Sequence, residues 1–162
     1  MTKKHLSFIA AILALSLLTA CAGKAANIRD DVPVSDVSVA IAAVLGDDAL
    51  VSVPETYYAG SMKMDVSEFD GYDVKINSKG INIDEFGVFK AKDSSQLPAA
   101  QKAVNDYLAF RLQIWMEEYM PEEKPKLENA EVKTVGNYVM YAILSDEGKK
   151  SAFSAFEKSL KA

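Results

Sequence analysis

The chain has 162 residues, a formal net charge of −5, one cysteine (Cys21) and one histidine (His5). With no histidine beyond position 5 and no second thiol, everything downstream lacks the means for Ser-His-Asp or Cys-His catalysis, His- or Cys-ligated zinc, covalent haem and dithiol redox chemistry. The excess of acid disfavours nucleic acid, whose phosphates need clustered Lys and Arg, and neither a P-loop nor a G-x-G-x-x-G phosphate cradle occurs.

Lys3, Lys4 and His5 give a positive start. Leu6 to Leu18 then form an apolar run broken only by Ser7 and Ser16, and the small residues Thr19 and Ala20 follow. These are the three parts of a secretory signal peptide. The run falls short of the roughly 20 residues a helix needs to cross a bilayer, and no later stretch comes near that length. Leu18-Thr19-Ala20-Cys21 resembles the bacterial lipobox. The resemblance implies that the Cys21 thiol takes a diacylglyceryl group, that residues 1–20 are removed, and that lipidated Cys21 becomes the N-terminus at the extracytoplasmic face of the cell membrane. Acyl chains of the palmitate kind would hold it there, since each buried CH₂ contributes about 0.8 kcal/mol and two chains hold where one lets go. A lone free thiol is the plainer alternative, and the register of charge, apolar run and motif argues against it.

Loss of Lys3 and Lys4, with no acid removed, takes the formal charge from −5 to −7 over the 142 residues from Cys21 onward. That length is one ordinary domain, large enough to bury a core without disulfides. Residues 21–34 are small and polar around Pro33 and read as lipidated Cys and flexible tether, reaching on the order of 20 Å as a coil. Residues 35–162 read as a single domain.

Val37, Ile41 and Val44 or Leu45 are at helical spacing, with Ser35 as N-cap and Gly46 as stop. "VPETYYAGSMKM" has no clear period, and "DVSEFDGYDV" contains at most one helical turn. Tyr72, Val74 and Ile76 alternate, as do Ile81 and Ile83, with "NSKG" between them as turn residues; a further strand is centred on 87–91. The clearest element is a long helix starting near Ser94 or Ser95, with Pro98 in its first turn and Pro121 ending it. Its stripe is Leu97, Val104, Leu108, Leu112, Trp115 and Tyr119, widened by Ala100, Ala103, Tyr107 and Ile114, which suits a helix lying across a sheet. Arg111 falls within the stripe, near Glu118, and needs a partner if buried.

Two further strands follow, "EVKTVG" and "NYVMYAIL", joined by a tight turn at Gly136-Asn137. The second is apolar on both faces, as a central strand is. Phe153, Phe156 and Leu160 mark a terminal helix. The fold class expected is α+β: a small antiparallel sheet of about four strands, with the long helix and the C-terminal helix packed on one face.

"GVFKAKD" at 87–93, "YMPEE" at 119–123 and "VGNYVMYAILSDE" at 135–147 resemble a family of small bacterial lipoproteins described as domain of unknown function 4358, over roughly residues 36–160. The resemblance implies a lipoprotein of a Gram-positive-type envelope with an α+β domain, and carries over no catalytic residues.

The acidic pairs Asp30-Asp31, Asp47-Asp48, Glu117-Glu118 and Glu122-Glu123 lack the ligand spacing of a calcium loop and read as solvated charge. Tyr107, Trp115, Tyr119, Tyr138 and Tyr141 have the spacing of core residues, although rings with polar tips also suit a ligand pocket. Beside Cys21 as lipid attachment, the candidate ligand or partner contacts are Tyr57, Tyr58, Trp115 and Tyr119. No catalytic, cofactor or metal residue is expected. The reading is a non-catalytic module, held to the membrane through Cys21, that binds an envelope protein or a small ligand. The alternative is a small envelope hydrolase using two carboxylates, which would have to sit about 5 to 9 Å apart in a cleft.

Overall fold

The computed structural model describes residues 27–116 and 118–162, so residues 1–26, Cys21 among them, lie outside it. Its elements run α1 (Val34–Leu45), β1 (Leu50–Ser52), α2 (Glu55–Tyr57), β2 (Phe69–Asn77), β3 (Glu85–Ala91), α3 (Leu97–Gln113), α4 (Lys124–Glu128), β4 (Glu131–Val135), β5 (Tyr138–Ile143) and α5 (Asp146–Ser159). The strands form one antiparallel sheet in the order β1-β2-β3-β5-β4. This is an α+β fold, with five strands rather than about four; the addition is β1, a three-residue edge strand just before the stretch that shows no period.

The helices do not share one face. Phe86 and Val88 of β3 and Tyr138, Met140 and Ala142 of β5 pack with Val37 and Ile41 of α1 and Ala152, Phe153 and Phe156 of α5. The alternate residues, Phe89 and Ala91 of β3 and Val139, Tyr141 and Ile143 of β5, pack with Ala100, Val104, Tyr107 and Leu108 of α3. Both side-chain sets of the two central strands are apolar, so each face of the sheet needs its own cover. α3 and α5 therefore lie on opposite faces, which corrects the one-face expectation.

Gly87 marks a close approach within the sheet. A Cβ there would run into the Tyr141 ring and come within 2.9 Å of Val74 Cγ2. Only the bare backbone leaves room for that ring to lie across β3.

α1 begins one residue earlier than Ser35, directly after Pro33, whose carbonyl accepts from the Asp36 and Val37 amides. It ends at Gly46, in the left-handed conformation (φ 64°), as the sequence suggests. α3 ends at Gln113, well short of Pro121. Its 17 residues rise about 25 Å, close to the ~24 Å of the seven-residue β3 beneath it. Beyond that length the sheet offers the helical stripe nothing to cover.

The segment before α1 is docked rather than free from Asn27 onward. The Arg29 amide donates to the Leu160 carbonyl (2.8 Å), Asn137 Nδ2 to Asp30 Oδ2 (2.6 Å) and the Tyr138 hydroxyl to the Val32 carbonyl (2.7 Å). The chain thus enters the domain beside the β4–β5 turn, at the Ala91 end of β3. No helix among the described residues is long and apolar enough to cross a membrane.

Candidate functional site

Residues 53–65 fold into an irregular wall. α2 runs directly into a π-turn at Tyr58–Met62, closed by Lys63 with φ 55°. A left-handed lysine and a π-turn each carry a local energetic cost, and such features concentrate at functional sites. Tyr58 fastens the wall to the sheet: its hydroxyl accepts from the Val74 amide (3.2 Å), and its ring meets Tyr72 edge-on at 4.8 Å. Tyr72 in turn donates to Glu55 (2.8 Å). This turn sends Met62 and Met64 inward, 2% and 5% exposed, toward the first half of α3.

Opposite the methionines, the first half of α3 presents the small residues Ala99, Ala100 and Ala103. The two surfaces leave between them a cavity of about 430 Å³, with Phe69 and Ala91 at one side and Phe110 at another. Its volume lies in the ~300–1,000 Å³ range of small-molecule pockets. Methionines make its wall adaptable, since an unbranched thioether fills irregular space in many rotamers. The charged lining residues are Lys63, Asp65, Glu68 and Asp106, all exposed. Asp65 accepts from the Ser67 amide, a bond that holds its carboxyl below the usual range, and Asp106 pairs with Lys102.

Tyr107 lines the cavity and also belongs to a polar cluster beneath it. Glu85, 2% exposed, accepts from the Tyr107 hydroxyl (2.6 Å), the Tyr141 hydroxyl (2.5 Å) and Arg111 Nη1 (2.5 Å). Arg111 Nη1 also donates to the Tyr107 oxygen (2.8 Å). Burial, reinforced by the charge of Glu85, pushes the Tyr107 and Tyr141 phenols far up. Burial works against the Arg111 charge, and Glu85 and Tyr107 together outweigh it, so the guanidinium is held protonated. A carboxylate accepting three such donors is tied to the scaffold and poorly placed to exchange protons with a substrate. It pins α3 to β3 and β5 and so fixes one wall of the cavity.

Among family models, residues 59–144, more than half of the chain, match Domain of unknown function (DUF4358). The chain belongs to that family. The DUF4358 stretch holds every residue that lines the cavity and all four members of the Glu85 cluster. It is narrower than the 36–160 span suggested by sequence resemblance, leaving α1 and α5 outside. No curated protein and no solved structure matched the chain.

Within and around the DUF4358 domain, the sequence-derived contact residues do not converge on the cavity. Tyr58 is buried at 3% exposure and belongs to the core. Tyr57 is half-buried, its phenol pushed up by burial and then by the charge of Glu85. Trp115 is half-buried beyond the end of α3, its Nε1 without a partner, and Tyr119 is 51% exposed. Neither rides on the helix, because α3 has already ended. The cavity residues that sequence reasoning missed are Met62, Met64, Phe69 and Phe110. The first two sit in a turn with no period to read, and the one available signal is the pair of methionines two apart in "SMKM".

Proposed function

We propose that this DUF4358 protein is a lipid-anchored extracytoplasmic module that binds a small apolar ligand without transforming it. The cavity between the π-turn wall and α3 carries this reading: a ligand-sized apolar space walled by Met, Phe and Ala, with charge confined to its exposed rim. The buried carboxylate nearest to it, Glu85, is fully engaged with Tyr107, Tyr141 and Arg111, which favours binding over a two-carboxylate hydrolase. Anchoring rests on Leu18-Thr19-Ala20-Cys21 and the apolar run before it.

Native mass spectrometry of the protein extracted from its own envelope in mild detergent tests the reading. A co-purifying small molecule is expected, together with an acyl modification at Cys21, and Ala103→Phe is expected to abolish the former and keep the latter. Retention of the molecule in a folded Ala103→Phe variant, or an empty protein throughout, would contradict it.

A further inference from the structure

The cavity and the point where the chain enters the domain lie at the same end of the sheet. Phe69 and Ala91, which line the cavity, are register partners at that end of β2 and β3. The Ala91 amide donates to the Asn137 carbonyl (2.8 Å), and Asn137 donates through its side chain to Asp30, in the segment that leads back toward Cys21. From Cys21 to Asn27 there are six residue steps, which at full extension span at most about 22 Å. A lipid on Cys21 therefore keeps Asn27 within about 22 Å of the bilayer and leaves the cavity end free to reach it. The opposite end, with the β2–β3 connection and the segment after α3, is not subject to this bound.

The lining adds a chemical restriction. Met62, Met64, Phe69, Ala100, Ala103 and Phe110 offer an apolar, adaptable interior, and the lining residue Gln96 has its Oε1 buried without a partner, an acceptor that neither binds nor repels an alkyl chain strongly but could take a bond from a donor near the head of the ligand. Among the lining residues, three carboxylates, Asp65, Glu68 and Asp106, stand against one lysine, Lys63, with Asp106 already paired to Lys102. An anionic head is disfavoured at such a rim. A zwitterionic head, with its ammonium toward the acids, is compatible with it.

We infer that the cavity takes one acyl tail of a zwitterionic lipid from the adjoining bilayer. The inference rests on the lipid-anchored reading above and gives it a ligand class. Insertion of a tail would also orient the domain on the membrane, because the cavity would be closed by the bilayer from which the tail is drawn.

The test is photocrosslinking of the full lipoprotein in phosphatidylcholine vesicles doped with a phosphatidylcholine carrying a diazirine in one tail. The label is on the vesicle lipid only, so the tail on Cys21 cannot produce an adduct. Adducts are expected on peptides containing Met62, Met64 and Phe110, and are expected to be lost in Ala103→Phe. Ala99→Phe, at an exposed lining position, repeats the block at less risk to folding. Adducts confined to other surfaces, or unchanged in both folded variants, overturn the inference. Adducts that appear only when Cys21→Ser removes the protein's own tail also overturn it, because that tail would then be the occupant.

A parallel arm in detergent micelles containing the same labelled lipid separates the two readings. If Cys21 proves unacylated, cavity adducts in micelles still support a tail-binding cavity while the anchor reading falls. If Cys21 is acylated and cavity adducts are absent from vesicles, the inference fails and the anchor stands.

Discussion

Glu85 has three donors and almost no exposure, so removing either side of this arrangement leaves a buried group without its partner. Glu85→Ala strands the guanidinium of Arg111 and two phenols, and losing one partner of a buried ion pair typically costs about 3–5 kcal/mol. Tyr141→Phe deletes one hydrogen bond to a charged acceptor and is expected to cost about 1.5–3 kcal/mol. Urea unfolding of the two variants measures both, and a loss below about 1 kcal/mol for Glu85→Ala would mean that the cluster does not hold α3 to the sheet. The buried phenols also set an alkaline limit. Burial raises Tyr58 to about 12, and it raises Tyr107 and Tyr141 as well, with Glu85 adding to the latter two. The unfolded chain ionises its tyrosines near pH 10, so it binds fewer protons than the folded one above that pH. This contribution to stability is therefore whole below about pH 10 and falls as pH rises beyond it. Ultraviolet titration should show these tyrosinates appearing together with unfolding, and ionisation of all three in the folded state would contradict their burial. At this scale the sequence is legible only in part. Arg111 in an apolar stripe announces that it needs a partner, but the partner lies 26 positions away on β3, beyond the reach of local spacing.

Elements with a strong period are where the sequence reads best. The alternation of β5 is visible as a strand apolar on both faces, and Gly46 marks the end of α1. What that alternation also implies is a second covering layer, and this consequence places α3 and α5 on opposite faces. The end of α3 is illegible because its stripe of apolar residues continues through Trp115 and Tyr119 while the sheet beneath it stops. The π-turn is illegible because its residues show no sustained period, and the two-apart spacing of Met62 and Met64 is a single pair rather than a run. Gly87 carries a sharper expectation at this scale. Gly87→Ala puts a methyl into the Tyr141 ring and is expected to cost about 1–3 kcal/mol, the usual range for overpacking a well-filled site. Combining Gly87→Ala with Tyr141→Ala should recover part of that loss relative to the sum of the single changes, and strict additivity of their unfolding energies would contradict the close approach.

At the scale of the whole molecule, one sheet separates two layers with different duties. α1, α5 and the docked residues from Asn27 onward cover the face that belongs to the chain's entry and exit, with Ala162 donating to Asn27 (2.9 Å) to close the two ends together. α3 and the π-turn wall cover the other face and leave the cavity between them. The DUF4358 stretch, residues 59–144, takes in this second layer and the central strands but not α1 or α5. The α+β class was legible because strand and helix periods survive in the sequence. The cavity was not, because it arises where small alanines on a helix meet methionines on a turn, and neither reveals the space between them.

The central claim is that this space is occupied by a ligand, and methionine-methyl NMR tests it most directly. The ε-methyls of Met62 and Met64 should shift when the extracted protein is passed over a lipid-adsorbing resin, while Met140, buried on the opposite face, and Met116, 65% exposed beyond α3, stay in place. Unmoved Met62 and Met64 resonances, or equal shifts at all four methyls, would contradict the claim.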